Sequence, residues 1–481
     1  MLGVTSRGIA RLPFLTTFLG ERVVYQEVWF SRRECRAIAG WGCRPSTARS
    51  KLLAKRKDIG YIALEDGYLR SFGTGERFPP LSMVVDELGI YYDSTHASAL
   101  ERLLDSALEV LDGIADEVSR AKLLVLGHRL SKYNHAPDLA GLPLSESLRE
   151  GGEHGAASRV LVIDQTAGDM SVTLGGACAE SFMAMLRAAR AENPQATIYV
   201  KTHPEVSSGR KGGYLTQVQD DERTVVLRQA INPLSLIEQV DRVYVVTSTM
   251  GFEALLAGKP VTVFGMPWYA GWGVTDDRQN CPRRTRTRSI DELFAAAYFH
   301  YSRYLNPVTH ERGTIFDVID WLVRQREMSA RYPGRIIGVG FRRWKAGNVK
   351  PLLSLDPRRV IFVPGVQAAD ALAIQPSDCL VFWGREAPAG LLELAMRHGA
   401  SALRMEDGFV RSVGLGSELI RPLSLVLDQS GIYFDPTQPS DLEKLLRGCE
   451  KIAGKEKGNL WRGRLTITDT EIIACRSFLW V

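Results

Sequence analysis

The sequence predicts an α/β protein: one module of two Rossmann-like lobes, followed by an incomplete second copy of the first lobe. Three observations carry this. One stretch occurs twice. Ala63-Leu64-Glu65-Asp66-Gly67-Tyr68-Leu69-Arg70-Ser71 is followed by Gly73, Gly75, Pro80-Leu81-Ser82, Asp86 and Gly89-Ile90-Tyr91-Tyr92-Asp93. Met405-Glu406-Asp407-Gly408-Phe409-Val410-Arg411-Ser412 is followed by Gly414, Gly416, Pro422-Leu423-Ser424, Asp428 and Gly431-Ile432-Tyr433-Phe434-Asp435, with one residue inserted before Pro422. Agreement at so many polar and glycine positions marks a duplicated module; solenoid repeats have periods of roughly 20–50 residues. Apolar runs of strand length also alternate with helix-period segments, which implies parallel sheet with helices on both faces. Finally, 481 residues, 45% of them apolar and 24% charged, are enough for several packed cores.

Taken in order, residues 23–29 and 60–64 read as short buried strands, and 99–111 has the i, i+3, i+4 spacing of a helix. Residues 122–126 and 159–163 are apolar strand candidates, 177–190 an amphipathic helix, and 197–201 and 225–227 strands. Then come a helix over 233–239, a strand over 242–246, a helix over 251–257 and a strand over 261–264. Residues 141–157, rich in Gly, Ser and charge, suit a hinge, so the lobes run 1–156 and 157–330. The charged stretch 324–334 ends in Tyr332-Pro333-Gly334 and reads as a linker. Leu2-Gly3-Val4 answers Ile337-Gly338-Val339, which starts the second copy near Arg335 and gives it the span 335–481.

A formal net charge of +5 suits an anionic substrate or a membrane surface and is too weak to argue for nucleic acid. The seven cysteines are dispersed, with no CxxC and no zinc spacing, as in a reduced cytoplasmic protein. The N-terminal apolar stretch is interrupted by Pro13 and has no clear signal-peptide core. No run reaches about 18 apolar residues, so any membrane contact is expected to be peripheral.

Five stretches can carry chemistry. Asp164-Gln165-Thr166-Ala167-Gly168-Asp169-Met170-Ser171 follows a strand, where open α/β sheets bind ligands. An ordinary loop with Asp or Ser as helix cap fits it as well. Lys201-Thr202-His203-Pro204-Glu205 puts a cation and an imidazole at another strand end, suited to an anionic leaving group or to a plain turn. Thr247-Ser248-Thr249-Met250-Gly251-Phe252-Glu253 opens a helix whose N–H groups form an anion cradle, or a simple capping box. Glu65, Asp66, Arg70 and Ser71 form either a polar cleft or an Asp66–Arg70 ion-paired turn. Pro267-Trp268-Tyr269-Ala270-Gly271-Trp272-Gly273 reads as a stacking loop. After it, Arg283, Arg284, Arg286 and Arg288 face carboxylates or lipid phosphates, or simply solvent.

Together these stretches resemble the KpsC-type capsular polysaccharide β-Kdo glycosyltransferases, over about residues 1–325 as one whole module and about 335–450 as the start of another. The resemblance implies GT-B-like modules, CMP-β-Kdo as donor, and a Kdo-terminated phosphatidylglycerol glycolipid as acceptor. It further implies retention of configuration through a covalent carboxylate intermediate. The location it implies is cytoplasmic, peripheral on the inner face of the membrane, beside other capsule synthesis and export proteins. On that reading 1–156 is the acceptor lobe and 157–330 the donor lobe. Asp169 matches the nucleophile position, Glu65 is the expected base, and His203 sits near the leaving phosphate. Gln165, Lys201, Ser248, Thr249 and Glu253 are expected to hold the donor, with Glu253 on the ribose. Asp66, Arg70 and Ser71 are expected to hold the acceptor. No metal or other cofactor is expected, since helix N–H groups, Lys201 and His203 can neutralise a single phosphate. The departure is in the second copy. After Asp435 it repeats none of the DQTxGDxS, THPE or STMGFEAL runs, so it reads as a truncated module, with activity confined to the first. The rival reading is a non-catalytic glycolipid-binding component of capsule export.

Overall fold

The computed structural model describes residues 1–25, 34–142, 158–207, 209, 211–413 and 420–447. The chain divides into two compact units, Met1–Arg324 and Gln325–Val481.

Unit one opens with β1 (Leu2–Val4), β2 (Val23–Tyr25), β3 (Ala37–Trp41), β4 (Gly60–Asp66) and β5 (Ser82–Asp86). The first four strands are parallel, in the order β2-β1-β3-β4. β5 is antiparallel to β4, with Glu65 opposite Val84 and Asp66 opposite Met83. The sheet is therefore mixed, which corrects the wholly parallel expectation. Between β4 and β5 lies the duplicated motif itself, with no crossover helix, and a chain that simply turns back must pair antiparallel.

The second lobe supplies β6 (Arg159–Ile163), β7 (Thr197–Lys201), β8 (Thr224–Leu227), β9 (Arg242–Val245), β10 (Val261–Val263) and β11 (Asp276–Asp277). Their order is β11-β10-β9-β6-β7-β8, and every pairing is parallel, as expected. Val160, Val162, Ile198 and Val200 pack with Phe182 and Met185 of the helix Ala179–Glu192 to form its core. Strand order reverses around β6, which has β7 on one side and β9 on the other. In open α/β sheets that switch point is where ligands bind. The chain then returns to the first lobe. β12 (Ser302–Leu305) pairs antiparallel with β5, and β13 (Arg312–Gly313) pairs with β12.

Unit two contains β14 (Ile336–Val339), β15 (Val360–Val363), β16 (Cys379–Trp383), β17 (Ser401–Asp407) and β18 (Leu425–Asp428), in the order β15-β14-β16-β17-β18. This repeats β2-β1-β3-β4-β5, including the antiparallel last strand and its register, Glu406 opposite Val426 and Asp407 opposite Leu425. The fold is α/β: a GT-B-like pair of Rossmann-like lobes, then a copy of the first lobe's strand order. The copies differ in what covers them. Tyr68 is 3% exposed, its ring 5.2 Å from Trp268 of the second lobe and 4.9 Å from Tyr298, where the chain returns to the first. Its counterpart Phe409 is 68% exposed.

Three local expectations need correction. The helix beginning at Ala99 stops at Asp105. Residues 122–126 are not a strand but the end of the helix Ala115–Gly127; a four-residue apolar run cannot distinguish a strand from a buried helical turn. The expected linker is helical as far as Arg331, where Tyr332-Pro333-Gly334 ends the helix Ile315–Arg331. Of the expected hinge, residues 143–157 lie outside the described residues, as do Gly414 and Gly416.

Candidate active site

The three donor-side stretches leave the carboxyl ends of β6, β7 and β9, which are neighbours in the order β7-β6-β9. Tertiary structure thus gathers on one sheet edge loops that are about 40 residues apart in sequence.

Within the β6 loop the two aspartates separate by environment. Asp164 is buried, and its Oδ1 accepts the N–H groups of Gln165 at 2.9 Å and of Tyr214 and Leu215 at 3.1 Å. Burial raises its pKa despite these bonds. It braces the loop. Gly168 takes φ +81, a left-handed turn that suits glycine, and delivers Asp169 half-buried at the start of the helix Met170–Leu174. There Asp169 Oδ1 accepts the Ser171 N–H at 3.0 Å. Gln165 does not reach out of the sheet edge. Its Oε1 takes the Thr247 N–H at 3.0 Å and its Nε2 donates to Thr247 Oγ1 at 3.0 Å, locking the β6 loop to the β9 loop.

Lys201 is buried, donates to the Thr202 carbonyl at 2.6 Å, and is lowered by desolvation to about 8. His203 is lowered chiefly by burial, against the opposing pull of Glu205 and Asp169. Its Nδ1 accepts the Glu205 N–H at 3.2 Å. The neutral ring therefore carries its proton on Nε2, a donor for an anion.

At the β9 loop the helix Met250–Leu256 starts after Thr249. Ser248 Oγ takes the Met250 N–H at 3.3 Å, and the Ser248 carbonyl takes the Gly251 N–H at 3.1 Å. Glu253 is buried, and its Oε1 accepts the Ser131 hydroxyl of the first lobe at 2.5 Å. Glu253 Oε2 has no partner among the described residues, and burial raises this carboxyl to about 7.

Across from these loops, Glu65 is buried at the end of β4, accepting Trp41 Nε1 at 2.9 Å and the Asp66 N–H at 3.1 Å. Desolvation raises it, and the charge of Lys132 opposes that rise. Gly42, at φ +52, makes room beside it: a Cβ there would sit 2.0 Å from Tyr92 Oη and 3.2 Å from Glu65 Oε2. Arg70 Nε binds Asp66 Oδ1 at 2.7 Å, and Arg70 Nη1 donates to Ser71 Oγ at 2.7 Å. Unit two repeats this turn, with Arg411 bound to Asp407 and Ser412 at the same distances. The ion-paired turn is thus real, and both copies keep it.

Sequence reading passed over Lys132. Its carbonyl accepts the N–H groups of Arg70 and Ser71 at 3.2 and 3.4 Å, which pins its backbone to the duplicated turn. Its ammonium makes no hydrogen bond or ion pair among the described residues. Burial lowers its pKa, but the fields of Tyr91, Asp66 and Glu65 outweigh this and raise it overall. The field of Asp169 in turn reaches Tyr91. Glu65 and Asp66 of the first lobe therefore act on an unpaired cation, and Asp169 of the second lobe acts on the Tyr91 beside it. The signal lay in Ser131-Lys132-Tyr133-Asn134, a polar run three residues after the helix Ala115–Gly127.

The aromatic loop is not a stacking surface. Trp268, Tyr269 and Trp272 are buried, with Tyr269 Oη on the Ser248 carbonyl at 2.5 Å and Trp272 Nε1 on the Trp268 carbonyl at 2.9 Å. Nor do the arginines line a ligand site. Arg283 and Arg284 pair with buried Glu101 at 2.7 and 3.1 Å. Arg286 and Arg288 donate to the Asp105, Leu104 and Ser106 carbonyls, which satisfies the open C-terminus of the helix Ala99–Asp105. They fasten the second lobe to the first. Asp276 and Asp277 are likewise occupied, with Arg278, Thr262, Gly271 and Thr275.

The capsule polysaccharide biosynthesis protein family matches residues 36–304 and 378–476. The chain belongs to this family. The chain is similar to the capsule polysaccharide modification protein LipA of Neisseria meningitidis serogroup B, 45% identical over 451 residues, which are 92% of this chain and 62% of the relative. The chain thus spans about three fifths of that relative's length. The lipopolysaccharide-processing protein LpsZ of Rhizobium meliloti is 39% identical over 271 residues, 56% of this chain and 59% of that protein. Among solved structures, the chain is similar to Thermosulfurimonas dismutans KpsC, beta Kdo 2,4 transferase. The two are 46% identical with a TM-score of 0.60, over 67% of this chain and 97% of that one. That partner structure is about the size of unit one, the unit that holds the site.

Proposed function

We propose that this chain is a retaining β-Kdo glycosyltransferase, moving Kdo from CMP-β-Kdo to a Kdo-terminated phosphatidylglycerol glycolipid at the cytoplasmic face of the membrane. The observation that carries this reading is the gathering of the loops bearing Asp169, His203 and Ser248 at the carboxyl ends of the neighbouring strands β6, β7 and β9, with Glu65 at the carboxyl end of β4, in a member of the capsule polysaccharide biosynthesis protein family. The similar KpsC structure is that of a beta Kdo 2,4 transferase, which supports the choice of sugar.

In the first step the Asp169 carboxylate attacks the anomeric carbon. The bond from that carbon to the CMP oxygen breaks, and CMP leaves with the electron pair. His203 Nε2–H and the Ser248 and Thr249 groups receive the phosphate charge, Lys201 stands behind them, and Glu253 is assigned to the ribose. In the second step the acceptor hydroxyl attacks from the vacated face and Asp169 leaves as carboxylate. Glu65, raised by burial, takes the hydroxyl proton. Two inversions give net retention. Lys132 offsets the repulsion between the sugar's own carboxylate and Asp169. Asp66, Arg70 and Ser71 hold the acceptor lobe in shape beneath the incoming hydroxyl.

Intact-protein mass spectrometry with donor alone tests this. A one-Kdo adduct mapping to Asp169, absent in Asp169→Asn, is the expected result. Normal turnover by Asp169→Asn, or an adduct on Asp164 or Glu65, refutes the assignment. Absence of any Kdo transfer by folded protein favours the non-catalytic glycolipid-binding reading.

A further inference from the structure

The first lobe displays a feature that the site does not use. Among the described residues five non-glycine residues have positive φ, and two of them meet. Phe14 (φ 58) and His310 (φ 62) stack with ring centroids 4.3 Å apart and 16° between planes. A bulky residue in the left-handed region is an outlier that its surroundings must hold in place. Here the holding is visible. Thr17 Oγ1 donates to the His310 carbonyl at 3.3 Å, and Arg303 and Arg312 donate to the Phe18 carbonyl at 3.0 and 3.1 Å. Yet the strain buries nothing: Phe14 remains 37% exposed, and Val308 of the same loop 70%. Beside the pair lies a groove of about 310 Å³ lined by Leu12, Phe14, Val23 and the exposed Tyr25. Arg11 precedes Leu12, Arg7 lies one helical turn earlier, and Arg22 precedes Val23. All three are exposed and make no ion pair among the described residues, whereas nearby Glu21 is spent on the N-terminus and Arg36.

We propose that this face docks on a bilayer rich in anionic lipid, with Phe14, Tyr25 and Val308 entering the interface and Arg7, Arg11 and Arg22 meeting lipid phosphates. Aromatic rings amid unpaired cations are the chemistry of such an interface. The inference rests on the reading of the chain as a peripheral membrane protein, and its test needs neither donor nor acceptor.

The test is co-sedimentation of the full chain with phosphatidylglycerol-containing or pure phosphatidylcholine vesicles. Each arginine contributes about fivefold in affinity at an anionic surface, so Arg7→Gln/Arg11→Gln/Arg22→Gln should lose about a hundredfold. Phe14→Gly removes the ring and relieves the strained φ. It should unfold at the same or a higher temperature while losing about tenfold in vesicle affinity. A ring needed only for folding would give the opposite pattern. Equal binding to both vesicle types, or wild-type binding that survives both sets of changes, overturns the surface assignment alone. Failure of the wild type to bind any vesicle overturns the peripheral reading with it. A dimer in solution that Phe14→Gly dissolves would assign the face to a second copy and overturn the proposal.

Discussion

Glu253 gives the sharpest prediction. Its carboxyl is buried, accepts one short bond from Ser131, and is raised from 4.5 to about 7 by desolvation. A carboxyl whose folded pKa lies above its unfolded value binds more protons when folded, so stability is highest below about 4.5 and is lost as pH rises through about 7. The shift, about 7 minus 4.5, is about 2.5 units, or about 3 kcal/mol in full. Between about pH 5 and about pH 8 the linkage relation gives about 2.5 kcal/mol of that loss. Unit one has 324 residues (Met1–Arg324), and its unfolding entropy scales as about 2.1 cal/mol/K per residue. The corresponding fall in Tm is roughly 4 °C. Glu253→Gln keeps the shape and cannot ionise, so its Tm should fall less by about that amount over the same interval. Other carboxyls and histidines titrate in this window, but they do so in both proteins and cancel in the difference. Lys201, lowered to about 8, acts above the window and with opposite sign, since its stability contribution grows as pH rises. Thermal unfolding of both proteins at the two pH values is the assay. Parallel Tm–pH curves for wild type and Glu253→Gln would refute the buried, titrating carboxyl. Calorimetry on the same variant reads its assignment to the ribose separately, through loss of CMP affinity.

Three further outcomes follow from the same geometry. Lys132→Met removes the charge that opposes the upward shift of Glu65, so the acid limb of the transfer pH profile should move to higher pH; an unmoved limb separates Lys132 from Glu65. Glu101→Gln leaves buried Arg284 without its carboxylate and should destabilise unit one by about 3–5 kcal/mol, read by denaturant unfolding. Gly42→Ala forces a Cβ against Tyr92 Oη from a left-handed backbone and should cost roughly 1–3 kcal/mol while weakening turnover; a silent change would mean that Tyr92 moves freely.

Local chemistry decided much of this protein without any tertiary information. The parallel sheet of the second lobe followed from apolar runs of strand length alternating with helix-period segments, and the duplication from the register of Glu-Asp-Gly with Arg-Ser. Folding decided what depends on residues far apart in the chain. The antiparallel turn at β5 came from a connection that carries no crossover helix. Trp268 is buried between Tyr68 of the first lobe and Phe252 of the second. The four arginines found their partners on a helix about 180 residues away, so a run that reads as a charged face became the clamp between lobes. Lys132 lies in the polar run Ser131-Lys132-Tyr133-Asn134, but that run does not tell what its ammonium meets. Lys132 matters because the duplicated turn holds its carbonyl and the fields of Tyr91, Asp66 and Glu65 act on its ammonium. A sequence determines periodicity and turn chemistry, which are short-range. Desolvation and charge pairing depend on which distant atoms arrive, and only the packed structure determines that.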